Sequence, residues 1–368
     1  MRIAVPRETA PGENRVALVP ESAARLAKAG CVIVVERGAG QAAGFTDAAY
    51  HAAGVTLVAD FATACAGSDL VLKVQRPSAP EIAALPPNST LICFLSPATS
   101  SSQIQALAVR GITAYAMELV PRITRAQSMD ALSSQATIVG YKAALIGAAA
   151  MSRLLPMMTT AAGTIAPAKA FVLGAGVAGL QAIATARRLG AVVSAFDVRP
   201  AAREQVQSVG ATFIAAELVS ASSETAGGYA TEQAADQHQR ELDAIHRHIK
   251  DMDLVITTAA IPGKPAPRLV TEAMVKDMRV GSVIVDVSAE AGGNCELTVA
   301  GETRVVYGVS IIGAVNLPAT VPYHASQMYS RNLQTLVEYA LKDGVFRAEP
   351  GDPILDPMRV TASLQPSH

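Results

Sequence analysis

The chain has 368 residues, half of them apolar, with a formal net charge of −1 and no Trp. That length suits two domains, and an interior of small branched side chains suits parallel sheets buried between helices. The near-neutral charge gives no footing for nucleic acid or an anionic membrane surface as the main partner.

The N-terminal third alternates strand-like and helix-like stretches. "RIAVP" (2–6), "CVIVVERG" (31–38), "DLVLKV" (69–74), "TLICFLS" (90–96) and "ITAYAME" (112–118) read as short buried strands. Amphipathic stretches such as "PESAARLAKAG" and "SSQIQALAVRG" lie between them, each closed by a Gly suited to a helix C-cap. This alternation predicts a parallel, doubly wound sheet. The opening "MRIAVPRETAPGENR" lacks an apolar core of signal-peptide length. Cys31, Cys65, Cys93 and Cys295 show neither CxxC pairing nor metal-ligand spacing with His, and read as buried reduced thiols of a cytosolic protein.

"RITRAQSMDALSSQ" (122–135) then gathers Arg122, Arg125, Gln127, Asp130 and Ser133 in an otherwise aliphatic chain. A solvated loop and a polar clamp for a ligand both fit it. "TIVGYKAALIGAAAMSRLLPMM" follows as a long apolar helix connecting the domains. Its uncharged run is far short of the ~20 residues a membrane helix needs.

The strand–helix rhythm restarts at "AKAFVLGAGVAGLQAIATARRLGAVVSAFDVRP" and continues through "GATFI", "DLVITTAAIPG", "GSVIVDVS" and "VSIIGAVN". The first stretch holds Gly174, Gly176 and Gly179 in GxGxxG spacing, with an apolar strand before them, a helix after them, and Asp197 closing the next strand. Each position then has a physical task. Gly174 permits a tight turn, Gly176 lets a pyrophosphate approach the backbone, and Gly179 lets helix and strand pack closely. Val177 and Ala178 begin the helix, whose N-terminus supplies free amides and a partial positive charge. Asp197 can accept hydrogen bonds from both ribose hydroxyls and would repel a 2′-phosphate, favouring NAD over NADP. Arg199 softens that preference, since Arg can pair with a phosphate. The remaining walls are expected at "TTAAIPGKPAP" (257–267), with Ala259 and Ala260, and at "DVSAEAGGN" (286–294). Ordinary strand-to-helix turns are the plainer account of both.

One segment breaks the rhythm. Residues 217–236 are small, polar and Gly-bearing, with Tyr229 their only aromatic, and read as a functional lid or a disordered insert. "QHQRELDAIHRHIKD" (237–251) reads as a solvated helix carrying His238, His246 and His248. "SQMYSRNLQTLVEYALKDG" (326–344) is a helix expected to pack back on the first domain, preceded by His324 at the junction. The tail after Gly344 reads as irregular or weakly docked. No Ser-His-Asp order or metal cluster is present, and no general acid or base stands out. Hydride transfer between two nicotinamides moves no proton and needs no such group.

Taken together, these motifs resemble the NAD(H)-binding alpha subunits of proton-translocating transhydrogenases, within the alanine dehydrogenase/transhydrogenase family. The resemblance covers about residues 1–345. It is carried by "VPRETAPGENRVALVPESAARLAKAG", "RAQSMDALSSQ", the Gly174–Gly179 stretch, "GGYATE", "DLVITTAAIPGKPAP" and "VDVSAEAGGNCE". It implies two Rossmann-like doubly wound parallel-sheet domains separated by a cleft. The expected division is residues 1–126 completed by 327–368, and a NAD(H)-binding domain over 127–326. It further implies that Arg122, Gln127, Asp130 and Ser133 hold the dihydronicotinamide and that Tyr229 closes over NAD(H). Hydride would pass directly to NADP on a separate subunit. A homodimer and a membrane-embedded, proton-translocating subunit complete the implied assembly. That places the chain in the cytoplasm, on the inner face of a bacterial plasma membrane. No apolar span follows residue 345, so either the membrane part is expected in another polypeptide or the sequence is a truncated piece.

The alanine dehydrogenases are similar in opening and fold, and offer an alternative reading as an amino-acid oxidoreductase. Arg15 and Lys73 match positions that hold a keto acid there. Their catalytic His falls at about Ser96 and their catalytic Asp near Glu290, so the proton-handling His is missing. A redox-sensing NAD-binding module is a third reading.

Overall fold

In the computed structural model, residues 1–214, 235–261 and 263–361 are described. Six short runs rich in Val, Ile and Leu form the first sheet: β1 (Arg2–Val5), β2 (Val32–Glu36), β3 (Thr56–Val58), β4 (Leu70–Leu72), β5 (Thr90–Cys93) and β6 (Thr113–Ala116). All pair in parallel in the order β3-β2-β1-β4-β5-β6. β1 is central, with Ile3 level with Ile33 on one side and Leu70 on the other. Parallel strands need crossovers, and the connecting helices cover both faces, as the unbroken apolar runs require. One face buries Leu18, Leu26 and Tyr50 with Tyr329, Leu333 and Leu336 of the helix Pro322–Ala340. The other buries Ile82, Leu91 and Leu107. All four cysteines are buried and none forms a disulfide.

Over residues 345–361, the described part of the tail, the expectation of weak docking is corrected. Ile354, Leu355 and Met358 are fully buried in the first core, and Val360 donates its N–H to the Ala114 carbonyl. Three apolar side chains among Pro and Asp suffice to anchor it.

The second sheet contains β9 (Lys169–Leu173), β10 (Val192–Phe196), β11 (Thr212–Phe213), β12 (Leu254–Thr257), β13 (Val283–Asp286), β14 (Thr303–Val306) and β15 (Val309–Gly313), after a separate exposed hairpin of β7 (Met158–Thr160) and β8 (Gly163–Ile165). Its order is β11-β10-β9-β12-β13-β15-β14, parallel except for the edge strand β14. The order reverses between β9 and β12, the crevice where doubly wound sheets bind ligands. Leu173 pairs with both Phe196 and Thr257, and Thr257 with Asp286, so the loops leaving these strands start at one level.

The helix Ala131–Ala150 is as apolar as expected, but begins inside the polar stretch and ends before Pro156. Gly140 lets it lie against the helix Val177–Arg188: a Cβ there would sit 2.0 Å from the Ala178 carbonyl oxygen. No helix among the described residues is long and apolar enough to cross a membrane. The helix Ala235–Ile249 is only partly solvated, burying Ile245 and Ile249. His248 is half-buried, with Nε2 2.7 Å from Ser194 Oγ and its ring edge-on to Phe171. Burial, followed by the charge of Lys169, lowers its pKa.

Compact units divide at 135/136 and 317/318: Met1–Gln135 with Pro318–His368, and Ala136–Leu317. The expected boundaries were 126/127 and 326/327. Gln135 shows the reason for the difference, because its amide accepts from buried Arg15 and donates to the Ala325 carbonyl.

Candidate functional site

The glycine-rich turn is built at the end of β9. Gly174 takes φ +95°, a left-handed conformation that favours glycine, and a Cβ there would meet Thr258 Oγ1 at 2.8 Å and the Ala259 nitrogen at 2.9 Å. Gly179 is buried under the turn, where a Cβ would sit 1.8 Å from the Gly174 carbonyl oxygen. Gly176 behaves differently. It is exposed at the N-cap of the helix Val177–Arg188, and a Cβ there would meet nothing within 4 Å. Two glycines thus serve internal packing, and the third leaves open space in front of helix amides. Val177 is exposed and Ala178 half-buried beside it, so the first-turn N–H groups have no intrahelical acceptor and can receive an anion.

Asp197 closes β10 and faces this turn. Its Oδ2 accepts the Ala175 N–H at 2.6 Å and Arg199 Nη2 at 2.8 Å. Its Oδ1 accepts the Arg199 N–H and Nε, both at 2.9 Å. The expected pairing with ribose hydroxyls therefore meets a carboxylate already held by Arg199.

Ala259 and Ala260 stand at the end of β12, beside Gly174. The Ala259 N–H donates to Asn294 Oδ1 at 3.1 Å, and its carbonyl accepts from Asn294 Nδ2 at 2.9 Å and Ser288 Oγ at 3.0 Å. With both its polar groups engaged, Ala259 can offer a ligand only its methyl group. Ala260 is exposed. Asn294 is itself fully buried and also donates to the Pro267 carbonyl. Asp286 braces the same loop, accepting from the Ser288 N–H, the Cys295 N–H and Thr298 Oγ1. Asn294 and Asp286 were visible in "DVSAEAGGN", but their job as braces depends on tertiary contacts. Tyr229 lies outside the described residues.

The polar stretch belongs to the other unit. Residues Thr124–Met129 form a short 3-10 turn whose Ala126 and Met129 enter the core. Asn332, on the helix Pro322–Ala340, donates Nδ2 to the Ser128 carbonyl at 2.8 Å and accepts Ser134 Oγ at 2.7 Å. Asp130 caps the following helix, accepting the Ser133 N–H at 2.9 Å and Ser133 Oγ at 2.5 Å. Arg122 and Gln127 are exposed on this anchored backbone. The stretch is thus no free solvated loop. Asp130 and Ser133 hold each other, and the two longer side chains point outward.

Arg15 and Lys73 sit in a buried polar cluster of the same unit. Arg15 pairs with Glu13 through Nε at 2.8 Å and Nη2 at 2.7 Å, and donates Nη1 to Gln135 Oε1 at 2.8 Å. Burial alone would raise the Glu13 pKa, but the bonds and charge of Arg15 outweigh it and hold the carboxyl at about 2. Lys73 is 1% exposed and pairs with Glu81 at 3.1 Å and Glu8 at 3.3 Å. Burial alone would lower its pKa, but these carboxylates outweigh burial and raise it. Glu8 is pushed up, with burial the dominant cause. Both cations thus pair with buried carboxylates of their own unit. Ser96 takes φ +50°, with its N–H and that of Leu95 donated to Glu118, and burial raises the pKa of that carboxyl. Glu290 is exposed on the short turn Ala289–Ala291.

Residues 4–139 match the family description "Alanine dehydrogenase/PNT, N-terminal domain", and residues 143–365 match its C-terminal domain. The chain is 49% identical over 339 residues to an NAD(P) transhydrogenase alpha subunit of Rhodospirillum rubrum, covering 90% of this chain and 88% of that relative. A transhydrogenase structure from Sinorhizobium meliloti superposes with a TM-score of 0.89 at 44% identity, over 99% of both chains. An L-alanine dehydrogenase structure reaches a TM-score of 0.77 at 28% identity, covering 91% of this chain and 88% of its own. With both domain descriptions matched over nearly its full length, the chain belongs to the alanine dehydrogenase/PNT family.

Proposed function

We propose that the chain is the NAD(H)-binding subunit of a proton-translocating transhydrogenase, passing hydride from NADH to NADP held on a partner subunit. The observation that carries this is the Gly174–Gly176–Gly179 turn, where two glycines are packed and the third leaves open space before helix amides. The name of the Rhodospirillum rubrum relative supports the same reading. In this account residues 136–317 bind the nucleotide. The amides of Gly176, Val177 and Ala178 receive the pyrophosphate, Asp197 and Arg199 meet the adenosine ribose, and Ala259 and Ala260 line the wall. NADH supplies the hydride when bound. Gln127, Arg122, Asp130 and Ser133 orient the nicotinamide, and the anchoring of their backbone by Asn332 fits a positioning task. No residue has to move a proton, because direct hydride transfer creates none.

The exposed hairpin β7–β8, with exposed Met157, Met158 and Ile165 nearby, supports a homodimer that covers it. A membrane-embedded subunit would couple the reaction to proton translocation and hold the chain at the inner face of a bacterial plasma membrane. An alanine-dehydrogenase activity is less favoured: the His of that chemistry falls at about Ser96, where none is present, and Arg15 and Lys73 pair with buried carboxylates. The test supplies the chain with NADH and, separately, an NADP-binding partner domain or pyruvate with ammonia. NADH oxidation only with the NADP partner supports the proposal. Oxidation by pyruvate and ammonia with this chain alone overturns it.

A further inference from the structure

We infer that Arg15 is a positioning residue for the hydride step, acting through Gln135, Ser134 and Asn332 on the backbone that carries Gln127. This rests on the transhydrogenase reading above and extends it from the exposed polar stretch to a buried cation. Arg15 and Gln135 are both buried, so what they do for a ligand passes through other groups. Arg15 is itself fixed from two sides. Glu13 accepts its Nε and Nη2, and the N–H of the next residue, Val16, donates to Ser326 Oγ at 3.0 Å. Gln75 Nε2 in turn holds Glu13 at 2.8 Å.

From there the bonds run one way. Arg15 Nη1 donates to Gln135 Oε1 at 2.8 Å. A guanidinium has only donors, so the Gln135 amide must turn its oxygen to Arg15 and its nitrogen away. Nε2 donates to the Ala325 carbonyl at 3.1 Å and to Ser134 Oγ at 3.3 Å. Having accepted there, Ser134 sends its single hydrogen to Asn332 Oδ1 at 2.7 Å, in preference to the Ala131 carbonyl at 3.1 Å. Asn332 Nδ2 then meets the Ser128 carbonyl at 2.8 Å. The chain starts on a donor-only group and ends on an acceptor-only one, so one orientation of both amides satisfies it. Such bonds polarise one another, and the first is charge-assisted. Ser128 follows exposed Gln127, and buried Ala126 and Met129 flank the pair. Between those two anchors, the bond to Asn332 sets the tilt of the peptide and with it the direction of Gln127.

The test measures single-turnover hydride transfer to an NADP-binding partner domain, NADH affinity and thermal melts for the full chain and its variants. Gln135→Glu keeps an acceptor for Arg15, but its carboxylate has no donor for the Ala325 carbonyl and draws the Ser134 hydrogen away from Asn332. Arg15→Lys keeps a charge for Glu13 and loses the second arm. Both should slow transfer by about tenfold or more, with NADH affinity within about threefold of wild type. Asn332→Asp, which removes the last donor, should slow transfer alike. Adding Gln135→Glu to Asn332→Asp should slow it little further, because both act on one chain. Ser330→Ala, on the same helix, loses the bond from the Val19 N–H instead, and should lower the melting temperature at an unchanged rate. If Gln135→Glu does not fold, Arg15→Lys reads the same outcome. Wild-type rates in the folded variants, or rates that fall only in step with NADH affinity, overturn the inference. So do independent, additive losses in the double variant. All three leave the transhydrogenase reading standing. A wild-type chain that binds NADH and transfers no hydride overturns that reading, and the inference with it.

Discussion

Gly176→Ala separates nucleotide binding from folding, and Gly179→Ala is its control. At Gly176 an added Cβ meets no protein atom within 4 Å, and φ of −74° is ordinary for an L-residue. Gly→Ala at an unstrained position gains roughly 0.4–1 kcal/mol by restricting the unfolded chain. Exchanging a Gly cap for Ala gives back a similar amount. Net stability should therefore change by less than about 0.5 kcal/mol. The methyl group would instead occupy the space a pyrophosphate needs. Loss of one amide-to-phosphate hydrogen bond, roughly 1.5–3 kcal/mol, weakens NADH by about ten- to a hundredfold. At Gly179 the same methyl would lie 1.8 Å from the Gly174 carbonyl oxygen and 2.8 Å from its carbon. Helix and turn would have to separate, an overpacking penalty at or above the usual range of about 1–3 kcal/mol. Chemical denaturation and NADH titration of both variants read the two effects. A Gly176→Ala chain that binds NADH like wild type, or that loses stability as Gly179→Ala does, refutes the reasoning.

Three further outcomes are expected. Gln127→Asn should leave NADH affinity nearly intact but slow hydride transfer, because a shorter amide mis-sets the nicotinamide; kinetics with an NADP-binding partner check this, and an unchanged rate counts against the assigned role. Lys73→Met should destabilise the chain by about 3–5 kcal/mol by leaving Glu8 and Glu81 buried without their cation, with partial rescue by Glu8→Gln and Glu81→Gln; a wild-type melting curve would show the cluster is not structural. Glu13, held at about 2 in the folded chain against an ordinary 4.5, contributes stability above pH 4.5 that is lost as pH falls toward 2. Glu13→Gln should remove that part of the acid sensitivity, and matching pH slopes for the two proteins would contradict the assignment.

Both sheets were legible because parallel strands are continuous aliphatic runs, and "IAV", "VIVV", "FVL" and "VIVD" announce them without tertiary help. The GxGxxG turn was legible for the same reason, since its glycines answer local backbone demands. Other features needed contacts distant in sequence. The occupation of Asp197 depends in part on the Ala175 N–H, which arrives from the turn after β9, and the bracing of Ala259 depends on Asn294, which arrives from the loop after β13. His248 looked solvated on a charged helix, yet Ser194 and Phe171 from neighbouring strands enclose it. "RITRAQSMDALSSQ" mixed two roles that composition could not separate. Asp130, Ser133 and Ser134 hold the backbone in place, and Arg122 and Gln127 project from it.

Direct hydride transfer is the central claim, and isotope tracing tests it most plainly. NADH carrying deuterium at the transferred position of its nicotinamide would be mixed with this chain, an NADP-binding partner domain and NADP in ordinary water. The account predicts that the deuterium appears in the NADPH formed, with none lost to solvent. Deuterium released to water, or no label in NADPH while NADH is consumed, would contradict it.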